Sequence, residues 1–167
     1  MGTQMIKFLE NLFFISFLLN FAWEISQMPF YSEMGMGLRD NYLEFLRIHW
    51  EVSLKDALMV VVVCLVIGFL LRNWQWAKPR KAGSPDQSSA IDLGIKTFNG
   101  GWVILWLSLP IWQGIIEYYS VYIYSRWAYA DSMPLLLGIG LLPLLQMLIL
   151  PSLAVLLSRH LFTYSRE

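Results

Sequence analysis

The stretch Asn20-Phe-Ala-Trp-Glu-Ile-Ser-Gln-Met-Pro-Phe-Tyr31 decides how this chain is read. It closes an apolar run that begins near Phe8, and Glu24 lies inside that run. Residues 8–30 are enough, at about 1.5 Å per helical residue, to cross a hydrocarbon core of about 30 Å. A carboxylate at such a depth costs roughly 2.5–3.5 kcal/mol on insertion scales, so it needs a partner or a use. On a helix, Ser16, Asn20, Glu24, Gln27 and Tyr31 follow at spacings of four, four, three and four, which places them on one face. The first segment therefore carries a polar stripe, and the rest of the chain must supply what faces it.

The composition agrees with a membrane setting. Of 167 residues, 57% are hydrophobic, 16% aromatic and only 14% charged, where a soluble domain carries roughly a quarter charged. The formal net charge is zero, so no nucleic-acid partner is expected. One cysteine, Cys64, excludes an internal disulfide. The expected fold is all-α: a single polytopic domain over 1–167, built as a four-helix transmembrane bundle with an interfacial helix before the second span.

The spans are expected at about 8–30, 53–71, 100–124 and 134–157, with a polar loop over 72–99. The first resembles the apolar part of a signal peptide, but it is longer, holds Glu24 and lacks a small-x-small cleavage site, so it reads as retained. Before the second span, Tyr42, Phe45, Leu46, His49 and Trp50 recur at helical spacing, with Arg39, Asp40, Glu44, Arg47 and Glu51 on the other face. That pattern predicts an interfacial helix or a helical lead-in to the span. The core of the second span, Val60–Val66, holds nothing ionisable beyond Cys64, and the span reads as packing and lipid-facing surface. In the third span Trp102, Trp106, Gln113, Glu117, Ser120 and Tyr124 share a face, and Pro110 is placed to kink it. The fourth contains Gly138, Gly140, Pro143 and Pro151, with Gln146 as its one strongly polar residue, and reads as bent and closely packed.

Four spans put the N-terminus, the 72–99 loop and the C-terminus on one side. Eight basic residues lie there against four on the other side (Arg39, Arg47, Lys55 and Arg126). The positive-inside rule then puts both termini in the cytoplasm. Counting residues from the inner edges places Glu24 and Glu117 at one depth, in the outer half of the bilayer, with Gln146 nearer the middle.

Two carboxylates held close in a low dielectric do not both ionise easily, so one keeps its proton beside an ionised neighbour. That pairing is what general acid–base chemistry needs, and it assigns Glu24 and Glu117 as candidate catalytic residues. Asn20, Gln27, Gln113 and Gln146 are candidates for orienting a substrate or the carboxylates. Trp23 and Trp106, with Trp112, Tyr118 and Tyr119, offer ring faces to an apolar or cationic group. Arg126 is a candidate for an anionic headgroup, or an interface anchor beside Trp127. His49 is a candidate proton shuttle, or a solvated interfacial side chain. His49 and His160 lie at opposite ends, so no metal site is expected, and no cofactor motif is present.

N-F-A-W-E at Asn20 to Glu24, R-W-A-Y at Arg126 to Tyr129, M-P at Met133–Pro134 and G-I-G-L-L-P-L-L-Q at Gly138 to Gln146 together resemble a group of small bacterial polytopic membrane proteins without an assigned function. The resemblance covers the first, third and fourth spans. It implies a bacterial source, hence an inner-membrane location, and no particular activity. The acid-in-membrane chemistry is similar to that of integral-membrane terpene cyclases, with no shared motif. Three functions stay open. One is an enzyme or binder acting on a membrane lipid, isoprenoid or other apolar small molecule. Another is a non-enzymatic subunit packing its polar stripe against a membrane protein partner or a second copy. The last is a small proton-coupled transporter, which four spans without an inverted repeat make unfavourable as a monomer.

Overall fold

The computed structural model describes residues 3–32, 42–72, 76 and 100–164. It is mostly helical, with four long helices: α1 (Thr3–Gln27), α2 (Tyr42–Leu70), α3 (Gly100–Tyr118) and α4 (Leu141–Tyr164). Among the described residues, three helices are long and apolar enough to cross a membrane: Met5–Phe30, Leu43–Leu70 and Leu141–His160. Together with the composition they make this a membrane protein. The helices turn large apolar side chains outward all round, including Phe14, Leu18, Leu58, Phe69, Leu107, Ile111 and Leu156. A surface of that kind suits lipid and would be costly in water. In α3 the tryptophans, Gln113 and Glu117 dilute the apolar run, and α3 is not one of the three.

The helices alternate in direction. Gln146 of α4 reaches Glu24 of α1, while Arg159 lies over the ring of Phe8. Trp106 of α3 bonds Ser152 of α4, while Gly114 meets Leu144. Both pairings run antiparallel. The start of α3 abuts the far end of α2, since a Cβ on Gly101 would collide with the Trp76 ring and lie 3.0 Å from Ile67. The interior divides into two halves. One is apolar, with Leu12, Val60, Cys64, Ile67, Leu105, Leu109, Ala154 and Val155. The other buries Asn20, Glu24, Gln27, His49, Ser53, Asp56, Glu117 and Gln146.

Two boundaries differ from the sequence expectation. Residues 42–52 are the first part of one continuous helix, α2, so the lead-in arrangement is present rather than a separate interfacial helix. The fourth helix starts at Leu141, not Pro134. Leu135–Leu136 (β1) and Ile139–Gly140 (β2) form a two-stranded antiparallel hairpin instead. Leu137 and Gly138, at φ 53° and 83°, make its two-residue turn, and positive φ at both central residues is the geometry that fits hairpin twist. Tyr122 donates a 2.6 Å hydrogen bond to the Gly138 carbonyl and ties the turn to the segment that follows α3. Gly138 and Gly140 thus serve a turn and a close approach rather than a bent helix.

The polar end of the bundle is closed by chain. After α1, a single 3₁₀ turn (Met28–Phe30) with Pro29 at its start ends the helix, and Tyr31 is extended. Ser32 N–H bonds the Ala128 carbonyl at 2.8 Å and Ala130 N–H bonds the Phe30 carbonyl at 3.0 Å. Tyr31 and Tyr129 are therefore paired as a one-residue antiparallel bridge. Between α3 and this bridge, Tyr119–Ile123 forms a wider π-type turn.

Candidate functional site

The stripe read on the first span is buried as a unit: Ser16, Asn20, Glu24 and Gln27 all face inward. Opposite them stands Gln146, fully buried, five residues into α4. Its amide is oriented by Gln27, whose Nε2 donates to Gln146 Oε1 at 3.4 Å. That leaves Gln146 Nε2 facing Asn20 Oδ1 at 2.9 Å, Glu24 Oε1 at 3.0 Å and Asp56 Oδ2 at 3.2 Å. Asn20 is itself fixed, because its Nδ2 donates to the Ser16 carbonyl at 2.8 Å. Trp23 supports the group from outside by donating Nε1 to Gln27 Oε1 at 3.1 Å.

From α2 come His49, Ser53 and Asp56, spaced four and three and all buried. His49 Nδ1 lies 3.7 Å from Glu24 Oε2. The Ser53 hydroxyl donates to the His49 carbonyl at 2.7 Å, and the Phe45 ring packs edgewise on the imidazole. Glu117 of α3 forms the adjoining part of the site. Tyr129 Oη donates to its Oε2 at 2.6 Å, Trp127 Nε1 donates to the same oxygen at 3.2 Å, and Gln113 Nε2 donates to Oε1 at 3.4 Å.

The two bridge tyrosines join these parts at the capped end. Burial, then the carboxylates of Glu117 and Glu24, push the Tyr31 phenol far above the ordinary tyrosine range. Burial, then the hydrogen bond to Glu117, raises Tyr129 in the same direction. Both phenols stay neutral, and Tyr129 donates to Glu117. No described Lys or Arg forms an ion pair with Glu24, Asp56 or Glu117. Among the described residues, no group of three His, Cys, Asp or Glu is arranged to hold a metal ion.

Several expectations change. Gln146 is level with Glu24, its amide nitrogen 3.0 Å from the carboxylate, because the hairpin delays the start of α4 to Leu141. Trp106 lies half-buried in the other half of the bundle, donating to Ser152 Oγ at 2.6 Å, and does not line the site. Trp112, Tyr118 and Tyr119 are exposed on the outer surface. Arg126 is exposed as well, its guanidinium 5.0 Å from the Tyr124 ring centroid. On α3 the inward face is Gly101, Leu105, Leu109 and Glu117, continued by Ser120 in the π-type turn, which turns the tryptophan stripe to its flank.

The second span is not chemically silent. Asp56 is the residue that sequence reasoning missed, because the second span was judged from its apolar core, Val60–Val66. The signal was His49, Ser53, Asp56, Val60 and Cys64 at spacings of four, three, four and four, a buried stripe that begins polar and ends apolar. His49 is buried against Glu24 rather than solvated. No protein family, no curated protein and no solved structure matches the chain.

Proposed function

We propose that this protein is an integral membrane protein whose polar end is an acid–base site for a hydrophobic lipid or isoprenoid. One observation carries the reading: Glu24, Asp56 and Glu117, from three helices, are buried together among uncharged donors. Such a site favours positive charge and holds protons. In a low dielectric it can pass a proton to a carbon–carbon double bond and stabilise the cationic centre left on the adjacent carbon. Loss of a proton from a neighbouring carbon to a carboxylate closes the cycle, giving isomerisation or cyclisation. Glu24 and Glu117 act as acid and base, joined by Asp56, and Asn20, Gln27 and Gln146 hold the carboxyls in place.

In this reading α3 is the fourth crossing. Its 19 residues run about 28 Å, beginning beside the end of α2 and finishing at the capped polar end. Four crossings and the excess of basic residues around Lys7 and the 72–99 loop put both termini in the cytoplasm. The resemblance to small bacterial membrane proteins makes that membrane a bacterial inner membrane. A reporter fused at the C-terminus tests the count, since three crossings would put that end outside.

A second reading has its own support. Through Gln146, α4 is hydrogen-bonded to both α1 and α2, as a polar fastener would do, and a fastener serves a non-enzymatic subunit equally well. Mass spectrometry of small molecules co-purifying in mild detergent separates the two. Wild type is compared with the Glu24→Gln, Glu117→Gln double variant. An apolar molecule that is chemically altered or lost in the variant supports the enzyme. A stoichiometric protein partner with an unchanged lipid profile supports the subunit.

A further inference from the structure

We infer that Glu24 and Asp56 hold one proton between them, positioned by Gln146 and exchanged through His49, while Glu117 stands beside them as the ionised carboxylate. The roles of acid and base rest on the acid–base reading above; the shared proton does not.

The first argument is a count of hydrogens. An amide nitrogen carries two, yet Gln146 Nε2 faces three acceptors between 2.9 and 3.2 Å. The amide cannot be turned over, because Gln27 donates to its oxygen. Asn20 cannot be turned over either, because its nitrogen is committed to the Ser16 carbonyl. Asn20 Oδ1 therefore only accepts. Two hydrogens thus serve one amide oxygen and two carboxyls, and two carboxyls drawn to the same nitrogen in a dry interior hold a proton between them rather than both ionising.

The second argument is independent of those bonds. His49 is only 3% exposed, and its Nδ1 is buried without a hydrogen-bond partner. It is aimed at Glu24 Oε2 from 3.7 Å, too long for a hydrogen bond. Gln146 occupies the other oxygen, Oε1. A small shift of the imidazole would close the gap and let Nδ1 take or return the proton. Glu117 differs because three donors, from Tyr129, Trp127 and Gln113, already serve it, the environment of an anion.

The groups that set the proton's position are Glu24 from α1, His49 and Asp56 with the exposed Lys55 from α2, and Glu117 from α3. Tyr31 and Tyr129 face them from the cap, and α4 supplies only the neutral Gln146.

Infrared spectroscopy of the full chain in lipid bilayers tests this without turnover. Wild type at neutral pH should show a protonated-carboxyl band that persists in Glu117→Gln. The band should disappear in Asp56→Asn and in Glu24→Gln, since removing one charge frees the other carboxyl to ionise. Absence of the band in wild type, which needs no variant to fold, overturns the proposal. So does a band lost in Glu117→Gln but kept in Glu24→Gln. Deuterium exchange of the band should slow by about a hundredfold in His49→Phe; unchanged exchange removes His49 from the path. A band that behaves as expected beside an unaltered lipid profile leaves the dyad standing and removes the enzyme. A lipid profile that depends on the carboxyls without the band removes only the dyad.

Discussion

Replacing Gln146 by Leu removes the centre of the polar half while keeping nearly the same volume, so no cavity opens. The side chain faces four polar groups, Asn20, Glu24, Gln27 and Asp56. With two hydrogens, the amide makes at most two donated bonds and the one accepted from Gln27 at a time. An interhelical hydrogen bond in a membrane protein averages about 0.6 kcal/mol and reaches about 1.7. Three such bonds give about 2 kcal/mol. The groups left behind are buried and have no water to turn to, which pushes the cost upward. The control is Trp106→Phe, which removes the bond to Ser152 in the apolar half and should cost about 0.6 kcal/mol by the same average. Reversible unfolding in mixed micelles of mild and denaturing detergent reads both. If Gln146→Leu costs no more than Trp106→Phe, or stabilises, the carboxyls have found other partners and the network is not what holds this end together.

Other perturbations read separate parts of the structure. Tyr31 and Tyr129 titrate above their unfolded value when folded, so their contribution is fully present below about pH 10 and is lost as pH rises toward the folded value. Wild type should therefore melt lower at about pH 11 than at about pH 8, and the Tyr31→Phe, Tyr129→Phe double variant should show a smaller drop. Leu137 sits at φ 53° and is 98% exposed; Leu137→Asn gives the Asn-Gly pair that this turn prefers and should raise stability by about 1 kcal/mol, checked by the same unfolding assay. A Cβ on Gly140 would lie 2.9 Å from the Tyr129 ring, so Gly140→Ala should cost about 1–3 kcal/mol and draw the phenol off Glu117, seen as a change in tyrosine absorbance.

The polar stripe was legible from Ser16 to Gln27 because a single helix carries that part, and helical periodicity needs no knowledge of neighbours; Tyr31 lies past the helix end, in the bridge to Tyr129. Glu117 was legible for the same reason. Asp56 was not, because the stripe in α2 crosses the point where the sequence changes from amphipathic to uniformly apolar. Read as two segments, His49 and Asp56 fall in different elements; read as one helix, they lie two turns apart on one face. The start of α4 was hidden by turn chemistry. A Leu-Gly pair is an unusual occupant of a turn with positive φ at both positions, and the glycines in a run of leucines read more naturally as helix packing. The indole of Trp106 was misplaced because rotation of a helix about its axis is set by its neighbours. On α3 the small Gly101 lets Trp76 approach, and Leu105 and Leu109 rather than the tryptophans turn inward.

The division of the bundle into an apolar and a polar half has a consequence for register. Leu, Val and Ala side chains pack with many partners, so an apolar interface between helices in lipid penalises a slide of one turn only weakly; apolar side chains gain little by leaving lipid for each other. The polar half penalises it strongly. Moving α4 by one turn would take Gln146 away from Asn20, Glu24 and Asp56 together and leave the carboxyls facing one another without a donor. The same residues that would handle a proton therefore also fix how far α4 is inserted. A variant that keeps the amide and the fold but alters the carboxyls, such as Asp56→Asn, should separate these roles: the helices stay in register, and only the proton is lost.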